Sequence, residues 1–112
     1  MSARLASHVL VSALIRLAEE QGGFGTVLEK GDATAGAIGV VLLEKGANAR
    51  FFERELAPDG RYVWTESIQH IDNEQDFNAR VDRRRRADPD LWLIELDIAS
   101  SERFAAEMNA LC

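Results

Sequence analysis

The sequence predicts an α+β fold: one domain over residues 1–112, a mainly antiparallel sheet of about five strands with helices packed on one face, ordered α-β-β-β-β-α-β-α. Three observations predict it. An apolar segment with a single polar stripe opens the chain, and four short strand-like segments follow, separated by Gly, Pro, Asn and Asp. A second helical segment then leads across Pro89 into the apolar run Leu91–Ile98.

In the first helix, Ala3 to Gln21, His8, Ser12, Arg16 and Glu19 or Glu20 recur every three or four residues and mark one narrow polar stripe. Leu5, Val9, Leu10, Val11, Leu14, Ile15 and Leu17 fill most of the remaining circumference, so burial by the sheet, and by a partner chain, is expected. Ser2 is the candidate N-cap, and Gly22-Gly23 ends the helix.

The strand candidates are Phe24–Lys30, Ala37–Glu44, Ala49–Leu56 and Arg61–Ser67. The linkers Lys45-Gly46-Ala47-Asn48 and Ala57-Pro58-Asp59-Gly60 are too short for a parallel crossover, so the strands they join must be antiparallel neighbours. Leu-Glu-Lys-Gly occurs at Leu28–Gly31 and again at Leu43–Gly46, each time at a strand end, which reads as two similar turns. Asp72 or Asn73 can cap the second helix, which runs through Phe77 and Val81 to about Arg86. Its arginines lie in the last turns, where positive charge complements the helix dipole. Leu91–Ile98 sets Trp92, Ile94, Leu96 and Ile98 on one face and Leu91, Leu93, Glu95 and Asp97 on the other, a pattern suited to a central strand. Ser100 or Ser101 caps a final helix carrying Phe104, Met108 and Leu111.

Composition narrows the function classes. With 46% hydrophobic and 29% charged residues the chain is globular in character, and a net charge of -6 argues against nucleic acid as a partner. The sole cysteine, Cys112, excludes an intrachain disulfide and a cysteine-based zinc site, which points to the cytoplasm. No run approaches the roughly 20 apolar residues that span a bilayer, so a membrane is not expected as a partner.

Two segments carry a signature. Gly31-Asp32-x-x-Ala35-Gly36-Ala37-Ile38 follows the first helix and strand, and Asp88-Pro-Asp90-Leu-Trp92-Leu-Ile-Glu95-Leu follows the arginine-bearing helix. In order, spacing and overall length the pair resembles the alphaproteobacterial domain of unknown function 1491 family. The resemblance implies a cytoplasmic bacterial protein and transfers no catalytic residue.

The chemistry legible in the residues is sparse. Carboxylates at strand ends can hold a divalent cation for phosphate-ester hydrolysis, and Asp32, Asp88 and Asp90 are the first candidates for such ligands. The reading given more weight has Asp32 and Asp88 in local turns, Asp90 opening a strand, and Glu95 and Asp97 facing solvent. Arg80, Arg84 and Arg85 are candidates for contact with an anion or a partner, against the simpler expectation of a solvated helix end. The glycines precede strands rather than helices, so a phosphate loop is not indicated, and His8 and His70 lack companions at metal-ligand spacing. No cofactor is expected and no catalytic residue is assigned. The leading expectation is a non-enzymatic binding or assembly module acting as a homo-oligomer, with a metal-assisted hydrolase as the alternative.

Overall fold

The computed structural model describes residues 6–68 and 74–111. Its elements are α1 (Ser7–Glu20), β1 (Phe24–Glu29), β2 (Ile38–Glu44), β3 (Ala47–Leu56), β4 (Tyr62–Ile68), α2 (Glu74–Ala87), β5 (Trp92–Ile98) and α3 (Ser101–Leu111). Their order is the one read from the sequence. The proposed caps Ser2 and Asp72 or Asn73 lie outside the described residues.

The strands form one sheet in the order β1-β5-β2-β3-β4. The pairs β1/β5, β2/β3 and β3/β4 are antiparallel, and β2/β5 is parallel. The sheet is therefore mixed, because the chain crosses over through β3, β4 and α2 before β5 inserts between β1 and β2. The central position expected for Leu91–Ile98 is the observed one. A neighbour on each side and apolar cover on both faces suit a strand that opens Leu91-Trp92-Leu93-Ile94.

The hairpin between β2 and β3 turns on two residues rather than four. Lys45 and Gly46 have φ of 53° and 78°, the left-handed pair that matches the twist of the flanking strands, so β3 starts at Ala47. Asp97 on β5 supports this turn by accepting the Lys45 N–H at 2.8 Å.

The core has two layers, one on each face of the sheet. On one face Leu10, Val11, Leu14 and Ala18 of α1 and Phe104 and Met108 of α3 cover Val40, Leu42, Phe52, Trp64, Trp92, Ile94, Leu96 and Ile98. On the other face Phe77 and Val81 of α2 cover Val41, Phe51 and Leu93. The helices thus do not share one face. Alternation along the central strands points Val41 and Leu93 away from α1, and the thin apolar side of α2 is matched to that smaller patch. The apolar circumference of α1 is mostly covered within the chain, by the sheet and α3, leaving Val9 exposed on its outer side.

Candidate functional site

The two signature segments meet. The Asp32 N–H donates to Asp90 O at 3.0 Å, the Trp92 N–H to Ala37 O at 2.8 Å, and the Trp92 indole N–H to Asp32 O at 2.7 Å. A Cβ on Gly31 or Gly36 would collide with Asp90 O, so these glycines let one turn lie against the other. The same turn caps α1. Ala6, extended at the N-cap, offers no side-chain cap, and the N–H groups of Ser7 and His8 instead donate to Thr34 O and Ala33 O. The buried Ser7 hydroxyl completes the junction with a 2.6 Å bond to Gly36 O.

The acidic candidates lie around this junction without forming a ligand set. The Asp32 Oδ2 accepts from the backbone N–H of Thr34 and Ala35 at 3.2 and 2.8 Å, and the Asp88 Oδ1 accepts from that of Asp90 at 3.1 Å. Asp90 is exposed. Among the described residues, no three Asp, Glu, His or Cys side chains gather as a metal-binding group.

The arginine candidates divide by role. Arg84 Nε donates to Glu53 Oε1 of β3 at 2.7 Å, with Asp88 3.9 Å from its other end, and Arg85 lies 3.6 Å from Glu29 of β1. They fasten α2 to the two flanks of the sheet, and Arg85 Nε is buried without a hydrogen-bond partner among the described residues. Arg80 is exposed, as are Arg83 and Arg86.

A half-buried polar cluster went unmarked in the sequence. Arg50 grips Glu66 through Nε and Nη2 at 2.9 and 2.8 Å and donates through Nη1 to Ser101 Oγ at 2.9 Å. Glu44 accepts the Ser101 N–H at 2.7 Å, while the Ser100 hydroxyl takes that of Arg103 at 3.2 Å, so the first turn of α3 is capped twice. The bonds from the Ser101 amide and hydroxyl hold the Glu44 carboxyl below its ordinary value. Hydrogen bonding to Glu66, outweighing desolvation, holds the Arg50 guanidinium above its own. Opposite charges on neighbouring strands were the available signal, but the two do not stand opposite each other: Glu66 is paired with Phe52, and a bulge between Phe51 and Phe52 shifts the strand beyond it.

The largest contrast lies at the sheet edges. Phe24, Val27 and Leu28 of β1 are 59%, 36% and 44% exposed, and among the described residues no backbone hydrogen bond reaches the outer side of that strand. Along β4 lies α3, whose Asn109 Oδ1 accepts the outward Trp64 N–H at 2.9 Å. The exposed apolar residues on that side, Leu56 and Val63, sit near the turn that joins β3 to β4.

These features define a small α+β protein with a mixed five-stranded sheet and an open, apolar-flanked strand edge at β1. The chain belongs to the DUF1491 family, described as a protein of unknown function, whose model matches residues 5–106. It is similar to a family member from Caulobacter crescentus solved by crystallography, with 36% identity, TM-score 0.80, and coverage of 90% of this chain and 94% of that one. The NMR structure of a Caulobacter crescentus family protein gives 36% identity, TM-score 0.79, and coverage of 92% and 94%. The solution structure of Atu0922 from A. tumefaciens gives 26%, 0.76, and coverage of 91% and 92%. No curated protein matches. No described helix is long and apolar enough to cross a membrane.

Proposed function

We propose that this chain is a non-enzymatic assembly module that works in the cytoplasm as a homodimer joined through β1. The observation that carries the reading is the open edge of β1, with unpaired backbone groups flanked by exposed Phe24, Val27 and Leu28. An exposed strand edge is a template for another strand. A second copy fits it because antiparallel pairing of β1 with β1 is self-complementary, and a blunted β4 leaves no matching edge to extend the assembly into a filament. The bulge between Val27 and Glu29 limits strand pairing to Phe24–Val27. Four residues alone fall short of the roughly 800 Å² per partner of a stable interface. The flank of α1 supplies the rest, since half-buried Ile15 lies against Gly25 and would approach its counterpart across the join.

The competing reading, a metal-assisted hydrolase using Asp32, Asp88 and Asp90, has less support. Two of those carboxylates already hold backbone amides in local turns. Light scattering on the purified chain at low micromolar concentration tests the proposal, with a dimer mass expected for the native chain and a monomer for Val27→Lys. A native monomer, or a Val27→Lys dimer, refutes it.

A further inference from the structure

The arginines of α2 fall into two sets, and only one is used internally. Arg84 and Arg85 face the sheet and reach Glu53 and Glu29. Arg80, Arg83 and Arg86 are exposed and make no ion pair among the described residues. They follow one another at steps of three residues, so each is turned about 60° from the last along one flank, and the row spans about 9 Å of helix axis. Ala79 and Ala87, four residues before and after Arg83, bracket the row as exposed small side chains that let another chain come close.

We infer that this arginine row is a docking surface for an acidic segment of a protein partner. The geometry favours an extended polyanion, because three side chains rooted along about 9 Å of axis and fanned over about 120° can each meet a separate charge. The charge of the whole chain selects among polyanions. A net charge of -6, with Glu74, Asp76 and Asp82 on the helix and Asp88 and Asp90 just beyond its end, repels the dense continuous charge of a nucleic acid. A flexible acidic peptide, whose carboxylates sit on rotatable side chains and not on a stiff backbone, can match the row and turn its charges away from those carboxylates. The outer flank of α2 lies on the face opposite α1, so this contact is independent of the β1 join.

Fluorescence polarisation on the full-length chain tests this with labelled octaglutamate as the probe and a single-stranded oligonucleotide of equal charge as the comparison, at low and near-physiological salt. The Arg80→Gln/Arg83→Gln/Arg86→Gln variant is expected to lose at least tenfold in octaglutamate affinity. An Arg16→Gln/Arg61→Gln/Arg103→Gln variant, with the same change in net charge on other exposed positions, is expected to change less than about twofold. Equal losses in the two variants, failure of the native chain to bind octaglutamate, or tighter binding of the oligonucleotide would each overturn the inference. Arg83→Gln alone, expected to give a several-fold loss with an unchanged melting curve, serves as the readout should the triple variant fail to fold.

Discussion

The two ends of the sheet solve the same problem differently. At β4, α3 packs alongside and Asn109 takes the outward Trp64 N–H. At β1 the chain leaves the outer edge open, places three apolar side chains beside it, and protects it only with the bulge after Val27 and the charged Glu29-Lys30 that follow. Protection is thus built from tertiary structure on one side and from a short stretch of sequence on the other. The difference locates the surface on which this molecule has interactions left to make.

Uncovering β4 should erase the contrast, and the largest effect is expected from Phe104→Ala. Phe104 is fully buried at the contact of α3 with the sheet, and its truncation should cost about 3–5 kcal/mol. Denaturant unfolding would measure that loss. Light scattering should find species larger than a dimer, because a second strand edge becomes available.

A finer cut is Asn109→Ala. It removes the acceptor of the Trp64 N–H, together with a long 3.3 Å bond from Asn109 Nδ2 to Ala105 O within the helix, and leaves the apolar contacts of α3 in place. A loss of about 1 kcal/mol is expected, the net value of one hydrogen bond. The Trp64 amide should exchange with solvent faster, while those of β1 are unchanged.

The smallest effect follows pH. The Glu44 carboxyl, held below its ordinary value by Ser101, contributes stability above the pKa it has in the unfolded chain and loses that contribution as pH falls through its lower folded pKa. Melting temperatures of the native chain and Glu44→Gln should therefore differ most near neutrality and converge in acid. A constant gap across that range would show that the charge on Glu44 adds nothing to its hold on α3.

These features were unequally legible in the sequence. The strands announced themselves by alternation and by turns such as Lys45-Gly46, whose chemistry is local. Asp32 and Asp88 could be read as turn residues for the same reason, since each bonds an amide two residues ahead. The place of β5 beside β1 was not legible, because no short loop joins them and pairing across that separation depends on the whole sheet. The face taken by α2 was hidden for a related reason. Leu91-Trp92-Leu93-Ile94 offers apolar side chains to both faces, and nothing local assigns a helix to either. The partners of Arg84 and Arg85 lie on strands 31 and 56 positions away, so a row of five arginines could not be divided into fastening and free members before the fold was known.

Hydrogen exchange of the native chain as a function of its concentration distinguishes an edge that pairs from one already covered. The amides of Phe24–Val27 should gain protection as concentration rises through the dimerisation range, while those of β4 keep the same protection throughout. Concentration-independent exchange in β1, or protection that appears at β4 instead, would rule out a dimer joined through β1.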